Sequence, residues 1–231
     1  HLLVAAGADP TVIVGGRALG LGGHARVGGG GLMVCEADEF DRSFLELGPE
    51  LAVITNLEAE HLDCYSGLDD LTTAFATFAN RCAALGMVAL CADDPGARSL
   101  APRLRRRWLG YGLGAEAGLR ADALALEVGG SEFTVRRGSE LLGRVRLRLA
   151  GIHNVRNALA AIAVGLELGF DMATLAAACA TFPGVARRFE RRGERDGVLV
   201  VDDYAHHPTE LVAVLAAARQ ALPRRRLVAV F

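Results

Sequence analysis

The sequence predicts an α/β fold: a mostly parallel, doubly wound sheet with a small antiparallel meander, followed by the start of a second, Rossmann-like α/β domain. Three observations predict it. Short continuous apolar runs end in polar residues, helical patterns lie between these runs, and one later stretch alternates apolar with polar residues. Continuous apolar runs are typical of parallel strands buried on both faces, whereas alternation is typical of antiparallel strands with one exposed face.

Composition limits the class of protein further. The 231 residues are 52% hydrophobic and 23% charged with a net charge of −2, which excludes a disordered chain. No apolar run approaches the roughly 20 residues of a membrane span, and the N-terminus lacks the basic region of a signal peptide. The five cysteines form no CxxC pair, as expected for reduced thiols. We therefore expect a cytoplasmic protein without a membrane partner; the sequence leaves open whether it is a monomer or a homodimer.

The charged residues exclude two kinds of chemistry. The 25 basic and 27 acidic residues nearly balance, which argues against a nucleic-acid partner. All 25 basic residues are arginine, so no lysine of this chain can serve as a P-loop lysine or form a Schiff base.

The predicted elements follow the chain in order. Apolar runs predict buried parallel strands at 32–35, 51–54, 87–91 and 198–201, and a further strand starting at 227. Apolar periodicity predicts helices at 71–85, 155–168, 173–180 and 208–222. Alternation predicts the antiparallel meander over 121–149. Residues 17–31 belong to a stretch with nine glycines from Gly15 to Gly31, which predicts a loop or hairpin.

A change of composition at Phe182-Pro183-Gly184 predicts a domain boundary, with one domain over 1–181 and a second over 182–231. An alanine-rich helical region ends there and an arginine-rich segment begins. The first residues lie inside a helical pattern and the last lie inside an apolar run. We therefore expect the chain to be part of a longer protein.

The segment GLGGHA at 20–25 formally matches a dinucleotide-binding fingerprint. That fingerprint requires a helix whose N-terminus meets the phosphates. Further glycines follow instead, so we interpret the segment as a plain loop.

An acidic segment, EADEFD at 36–41, follows the first predicted strand. Its crowded carboxylates either form a solvated loop beside Arg42 or help to hold a hard cation such as Mg²⁺, with Glu36 as a ligand. His61 lies in a polar turn after the next strand. If the two strands are neighbours, Glu36 and His61 converge at their carboxyl ends.

Two later segments carry further candidates. Asn154 and Asn157 share a helix face, and either Asn154 caps the helix or both carboxamides read the edge of a purine. Upstream of 198–201, Arg187 and Arg188 form either a solvated face or a phosphate-binding pair. The segment DDYAHHPTE at 202–210 packs acids, a tyrosine and two histidines just before a helix start.

Five segments in this order resemble the Mur ligase family, and most closely its L-alanine-adding members: EADEFDRSFL, TNLEAEHLDCY, GIHNVRNALAA, FPGVARRFE and DDYAHHPTE. The resemblance implies an ATP-dependent amide ligase that joins L-alanine to UDP-N-acetylmuramate through an acyl phosphate, in peptidoglycan precursor synthesis. It implies that 1–181 is a central ATP-binding domain whose P-loop lies upstream, and that 182–231 begins the C-terminal domain. We expect this chain alone to be inactive.

The resemblance also implies roles for individual residues. It assigns Mg²⁺ to Glu36 and His61, and adenine to Asn154 and Asn157. It assigns the phosphates of ATP to Arg187 or Arg188, and closure of the ATP site to Asp202, Tyr204 and His206. Phe40 and Ala205 depart from the usual motifs without removing a charged group.

Three alternatives stay open. One is that the chain belongs to another Mur or folylpolyglutamate-type ligase, and another is that it is a non-catalytic α/β remnant. A weaker alternative is a metal hydrolase that uses Glu36, His61 and Asp63.

Overall fold

The computed structural model describes residues 1–59, 63–127 and 129–230. The strands are β1 (Thr11–Ala18), β2 (Gly23–Arg26), β3 (Met33–Cys35), β4 (Leu51–Ile54), β5 (Met87–Cys91), β6 (Trp108–Gly112), β7 (Leu119–Glu127), β8 (Gly130–Arg137), β9 (Glu140–Leu147), β10 (Glu190–Arg195) and β11 (Val198–Asp202). The helices are α1 (Leu2–Ala5), α2 (Leu68–Asn80), α3 (Pro95–Ser99), α4 (Ile152–Glu167), α5 (Met172–Thr181) and α6 (Pro208–Ala221), with short 3₁₀ helices at Ser43–Glu46 and Ala101–Arg103.

A six-stranded sheet in the order β4-β5-β6-β7-β8-β9 forms the centre of the molecule. The pairs from β4 to β7 are parallel, and β7, β8 and β9 are antiparallel. The predicted α/β class and meander are therefore confirmed, and the meander continues the parallel sheet. All five residues of β5 are buried, which explains why this strand is an unbroken apolar run.

Helix α4 packs on this sheet against β5, β6 and β7. Val155, Leu159 and Ile162 on its inner face are fully buried, and their spacing of four and three residues keeps them on one stripe of the helix. Helix α5 covers β9 and contacts α4. The start of α4 therefore has a fixed position on the sheet.

A three-stranded sheet in the order β2-β1-β3 precedes the central sheet. β1 and β2 are antiparallel and pair Ile13 with Ala25, so the glycine-rich stretch contains a hairpin. The segment at 20–25 covers the hairpin turn and part of β2, and no helix follows it. Its interpretation as a loop without a phosphate-binding helix is confirmed.

β10 and β11 form a separate two-stranded antiparallel sheet. The expectation of a parallel strand at 198–201 is therefore wrong, because within the described residues β11 pairs with β10 and runs antiparallel to it. Asp196 and Gly197 join the two strands with φ values of 51° and 76°. Two positive φ angles are typical of a tight hairpin turn, and an Asp-Gly pair favours such a turn.

The strand expected to start at Leu227 is also not found, because residues 227–230 have no regular secondary structure. Val228 and Val230 are exposed. A strand requires a neighbour for its backbone groups, and an apolar run alone does not supply one.

The part of the chain after α5 contacts both the three-stranded sheet and the start of α4. Ala18 at the end of β1 forms a β-bridge with Val185, and the amide of Leu19 donates to the carbonyl of Gly184. A Cβ added to Gly151, at the start of α4, would lie 2.9 Å from the Cβ of Ala217 in α6. These contacts place α6 beside the start of α4. No helix among the described residues is long and apolar enough to cross a membrane.

Candidate functional site

Glu36, the first residue after β3, is held against β1. Its amide donates to the carbonyl of Ile13 at 2.9 Å, and its carboxylate accepts the amide of Gly15 at 2.6 Å. The side chain is nevertheless exposed. A carboxylate has about four acceptor positions, so the bond with Gly15 leaves capacity for a cation. Glu36 therefore fits a metal-ligand role.

Two other carboxylates of the acidic segment stabilise the loop itself. Asp38 accepts the amide of Phe40, and Asp41 accepts the amide of Ser43, each at 2.9 Å. The bonds from Ser43 hold the pKa of Asp41 below its usual value. Such bonds to an amide two residues ahead are typical of turns that begin with an aspartate. The segment is therefore an ordered turn that leaves Glu36 at its start.

His61 lies outside the described residues, so the structure does not test its convergence with Glu36. The expected pairing of their two strands is not observed in the described part of the chain. β3 is bonded to β1, whereas β4 is bonded to β5 in the other sheet. Apolar runs identify strands but do not specify their neighbours. Within the described residues, no ladder hydrogen bonds join β3 to β4.

The chemistry of Glu36 is compatible with Mg²⁺. Within the described ranges, no three His, Cys, Asp or Glu side chains form a group that could hold a metal ion. Mg²⁺ typically takes one or two carboxylates and completes its shell with water and substrate phosphate oxygens. An exposed carboxylate such as Glu36 is compatible with that arrangement.

Glu58 connects the loop after β4 to the start of α6. Its carboxylate accepts a hydrogen bond from the hydroxyl of Thr209 at 2.7 Å, and it lies 3.6 Å from Nδ1 of His207. The sequence motifs do not assign Glu58 a role in the site. Its only signal in the sequence is its place in a polar turn that directly follows a buried strand.

Asn154 and Asn157 lie on the first turns of α4, as predicted. The helix begins at Ile152 after Gly151, whose φ is 99°, so the interpretation of Asn154 as the N-terminal cap is wrong. Asn154 instead donates to the carbonyl of Ala150 at 2.8 Å. Asn157 is exposed and lies one turn further along. Its carboxamide is therefore accessible to a ligand.

His153, at the start of α4, is affected by charged groups of α4 itself and of the segments around Arg188 and Asp203. Burial is the main cause that lowers its pKa, so the imidazole stays neutral at pH 7. Asp203 opposes this shift, whereas Arg156 and Arg188 add to it. Asp203 and Arg188 are therefore close enough to act on the start of α4.

Arg187, Asp202, Tyr204 and His206 form one cluster. The guanidinium of Arg187 lies over the ring of Tyr204 at 4.6 Å, and its Nε is 3.9 Å from a carboxylate oxygen of Asp202. The rings of Tyr204 and His206 are 5.1 Å apart. The structure thus brings together four residues that the sequence placed in two separate motifs.

Arg188 takes a different partner from Arg187. Its guanidinium lies 3.3 Å from Glu210, which also accepts the amides of His206 and His207 at the start of α6. Burial acts to raise the pKa of Glu210, but these two amides and Arg188 together hold it below the usual value. Arg188 therefore pairs with Glu210 and Arg187 with Asp202, and both side chains remain exposed candidates for a phosphate contact.

Asp203 lies between Asp202 and Tyr204 of this cluster. Its carboxylate accepts the amide of Phe189 at 2.7 Å and the amide of Ala205 at 2.8 Å. Phe189 has a φ of 52°, which is uncommon for an aromatic residue. Asp203 therefore joins the two motifs by backbone bonds that the sequence does not reveal.

Comparisons with known families match two consecutive parts of the chain. The family "Mur ligase middle domain" matches residues 25–165. The family "Mur ligase, glutamate ligase domain" matches residues 187–231.

Individual relatives agree with these matches. The chain is 50% identical over 226 residues to a UDP-N-acetylmuramate–L-alanine ligase of Nitratidesulfovibrio vulgaris strain DP4, covering 98% of this chain and 50% of the relative. It is 47% identical over 231 residues to an enzyme of the same name in Salinibacter ruber, covering 100% of this chain and 49% of the relative. The crystal structure of UDP-N-acetylmuramate-alanine ligase MurC from Thermotoga maritima matches with a TM-score of 0.84 and 28% identity, covering 97% of this chain and 50% of that chain. The chain therefore spans about half the length of these relatives.

Proposed function

Because this chain belongs to the Mur ligase family, we propose that it is the ATP-binding part of an enzyme that joins L-alanine to UDP-N-acetylmuramate. The reaction is ATP-dependent and forms an amide bond. It takes place in the cytoplasm and supplies a precursor of peptidoglycan.

One observation carries the choice of L-alanine within the family. Relatives with the name UDP-N-acetylmuramate–L-alanine ligase are about 50% identical to this chain along nearly all of it. Among solved structures, the L-alanine-adding enzyme of Thermotoga maritima matches with a TM-score of 0.84 and a murein peptide ligase of Psychrobacter arcticus with a TM-score of 0.74, at similar identities of 28% and 27%.

The proposed chemistry has two steps. The muramate carboxylate attacks the γ-phosphoryl group of ATP, which gives an acyl phosphate and releases ADP. The amine of L-alanine then attacks the acyl carbon, phosphate leaves and the amide forms. Charge on the transferred phosphoryl group must be offset, so positioned cations and hydrogen-bond donors are the main catalytic contribution of the protein.

The candidate residues take the following roles in this proposal. Glu36 and His61 hold Mg²⁺, which neutralises charge on the phosphates when bound. Asn154 and Asn157 contact the adenine of ATP, and Arg187 or Arg188 contacts its phosphates. The accessibility of Asn157 and the exposure of Arg187 support these roles.

In this proposal, the segment at 202–210 closes the site. Asp202, Tyr204 and His206 form one cluster with Arg187, so a movement of this segment carries all four residues together. A closed site excludes water, which protects an acyl phosphate from hydrolysis.

The test is an assay of amino-acid-dependent phosphate release by the natural full-length protein. UDP-N-acetylmuramate and Mg·ATP are supplied with L-alanine, D-glutamate, diaminopimelate or L-glutamate in separate reactions. We expect phosphate release to be fastest with L-alanine and the product mass to be that of the L-alanyl amide. A preference for another amino acid would assign the protein to a different ligase of the superfamily. Absence of turnover with all of them would overturn the proposal that the enzyme acts on UDP-N-acetylmuramate.

A further inference from the structure

Two neighbouring side chains at the start of α4, His153 and Asn154, are joined by a hydrogen bond. Nε2 of His153 lies 3.0 Å from Nδ2 of Asn154. The same Nδ2 also donates to the carbonyl of Ala150 at 2.8 Å. Both bonds described for this carboxamide therefore use its nitrogen, and its oxygen Oδ1 is the atom left to accept a hydrogen bond from a ligand.

The carbonyl of Ala150 determines which way the carboxamide of Asn154 is turned. A carbonyl oxygen only accepts, so the atom that lies 2.8 Å from it must be an N–H donor. The terminal torsion of an asparagine is roughly two-fold, so the side chain by itself scarcely distinguishes its two orientations. The opposite orientation would place Oδ1 against the carbonyl of Ala150 and lose the bond. Contacts with the protein therefore select the orientation.

His153 supports the same orientation as an acceptor. Burial is the main cause that lowers its pKa, so the imidazole is neutral at pH 7 and Nε2 can carry a lone pair. Asp203 opposes this shift, whereas Arg156 and Arg188 add to it. In the tautomer that accepts from Asn154, the ring proton is on Nδ1. A reversed carboxamide would bring the lone pairs of Oδ1 and Nε2 together, so His153 also opposes the reversal.

The ring of His153 is placed by the glycine that precedes the helix. A Cβ added to Gly151 would lie 2.7 Å from Cε1 and 2.9 Å from Nδ1 of His153. Real Cβ atoms do not approach other atoms so closely, so the ring occupies space that a side chain at position 151 would fill. The φ of 99° at Gly151 also favours glycine. The imidazole therefore packs against the backbone at Gly151, with Nε2 at the carboxamide of Asn154.

We propose that His153 is a positioning residue that fixes the carboxamide of Asn154 with its oxygen available to the base, and thereby makes the site select a purine with an amino group at C6. This inference rests on the proposed function, because it takes Asn154 as a contact of the adenine of ATP. The amino group of adenine can donate to Oδ1. Hypoxanthine, the base of inosine triphosphate (ITP), has a carbonyl oxygen at the same position, which would face Oδ1 unless the carboxamide turned.

Two substitutions of His153 separate its hydrogen bond from its packing. His153→Phe keeps an aromatic ring and removes the acceptor, so the carboxamide of Asn154 can turn more easily. The turn weakens the contact with an amino group and permits one with a carbonyl oxygen. His153→Gln supplies a carboxamide oxygen near the position of Nε2, so it restores an acceptor without the ring.

The experiment measures nucleotide binding by the natural full-length protein without turnover. ATP and ITP are titrated by calorimetry in the presence of Mg²⁺ and in the absence of UDP-N-acetylmuramate and L-alanine. The result is the ratio of the Kd of ITP to the Kd of ATP. Both nucleotides carry the same triphosphate, so a general weakening of phosphate contacts or of the fold leaves this ratio unchanged.

We expect the unmodified protein to bind ATP about tenfold more tightly than ITP, as the gain or loss of one hydrogen bond would give. For His153→Phe we expect the ratio to fall to about threefold or less. For His153→Gln we expect a ratio close to that of the unmodified protein. If His153→Phe and His153→Gln lower the ratio equally, the ring and not the acceptor is responsible, and the proposal is wrong.

Ile152→Ala is the matched control. Ile152 lies in the same first turn of α4 and is 37% exposed, so its substitution alters the helix start without removing a group that bonds Asn154. We expect its ratio to equal that of the unmodified protein. An equal fall of the ratio in Ile152→Ala and His153→Phe would assign the effect to a general disturbance of the helix start and overturn the positioning role.

Asn154→Ala distinguishes this inference from the proposed function. If Asn154→Ala lowers the ratio while His153→Phe leaves it unchanged, the positioning role is wrong and the contact of Asn154 with adenine stands. If Asn154→Ala itself leaves the ratio unchanged, that contact is wrong and the positioning role fails with it. Absence of ATP binding by the unmodified protein would overturn the proposed function itself.

Discussion

Asp93 is a charged residue in an almost completely enclosed position, with a side chain 9% exposed. It accepts the guanidinium of Arg156 at 2.8 Å and the amides of Leu113 and Gly114 at 2.9 and 3.0 Å. Burial acts to raise the pKa of Asp93, but these three donors together hold it below its usual value. One carboxylate thus ties the end of β5 to the loop after β6 and to α4, which carries Asn154 and Asn157.

We expect Asp93→Asn to lower the free energy of unfolding by about 2–4 kcal/mol at pH 7, because it leaves Arg156 without its buried partner. The folded pKa of Asp93 lies below the unfolded value of about 3.8. The ionised form therefore contributes stability above the unfolded pKa, and this contribution is lost as the pH falls through the folded pKa. Urea unfolding at several pH values should show the difference between the two proteins shrinking below about pH 4.

Asp122 provides the control for this prediction. Its pKa is also lowered, chiefly by the hydrogen bond from Arg120, but its side chain is 33% exposed. A solvent-accessible ion pair contributes little to stability, because water screens its charges. If Asp122→Asn destabilises the protein as much as Asp93→Asn, burial is not the source of the effect.

Gly184, in the connector between the two predicted domains, has a φ of 95°. A Cβ there would meet only Leu149 at an ordinary distance of 3.5 Å, so the cost of a side chain comes from the backbone. We expect Gly184→Ala to lower the free energy of unfolding by about 1–2 kcal/mol. Gly48→Ala, where φ is not positive and a Cβ meets open space, should be nearly neutral. Chemical denaturation of both variants checks the difference.

At the scale of elements, the contact between Glu58 and the start of α6 is a hydrogen bond between two segments far apart in the chain. Thr209 donates its hydroxyl to Glu58 at 2.7 Å, and His207 lies beside the same carboxylate. The segment that contains Glu58 continues into His61. The position of α6 is therefore coupled to the loop of a candidate metal ligand.

We expect Thr209→Val to loosen α6, since it removes the hydroxyl and keeps the side-chain shape. We expect the free energy of local opening of α6 to fall by about 0.5–1.5 kcal/mol. Amide hydrogen exchange in 208–221 then becomes up to roughly tenfold faster. Thr77→Val serves as the control, because the hydroxyl of Thr77 bonds only within α2. Unchanged exchange in α6 of the Thr209→Val protein would show that the Glu58 contact does not hold the helix.

At the scale of the whole molecule, the two segments of the proposed nucleotide site should respond differently to substitution. Asn157 is exposed on α4, so Asn157→Ala removes a ligand contact with little cost to the fold. In the natural full-length protein we expect it to weaken ATP binding about tenfold, as the loss of hydrogen bonds worth about 1.4 kcal/mol would do. Calorimetric titration with a non-hydrolysable ATP analogue measures this effect.

Tyr204→Ala should instead reduce turnover more than resting ATP affinity. The ring of Tyr204 lies under the guanidinium of Arg187 and next to the ring of His206. We therefore expect the loss of this ring to disorder Arg187 and His206 in the closed site. We expect kcat to fall at least tenfold while the dissociation constant of the ATP analogue changes less than threefold. A larger effect on affinity than on kcat would contradict the assignment of this cluster to closure.

Several features could be predicted from the sequence because they depend on residues close together in the chain. The apolar run at 87–91 specifies a strand whatever its partners, and helix α6 begins at Pro208 as its periodicity indicates. The ordered motifs were sufficient for the family. The Asp-Gly pair at 196–197 is a local signal for a hairpin, whereas the apolar run at 198–201 does not by itself distinguish a parallel from an antiparallel strand.

The tertiary structure alone decided which distant groups meet. An apolar run does not specify its neighbour, so the pairing of β3 with β1 instead of β4 could not be derived from either segment. The same holds for Asp203 with Phe189, Arg42 with Tyr65 and Glu58 with Thr209. Each of these contacts depends on how whole elements pack, because a hydrogen bond is set by distances of a few tenths of an ångström that no local pattern encodes. The sequence by itself determined the chemical groups and their order, and packing determined their partners.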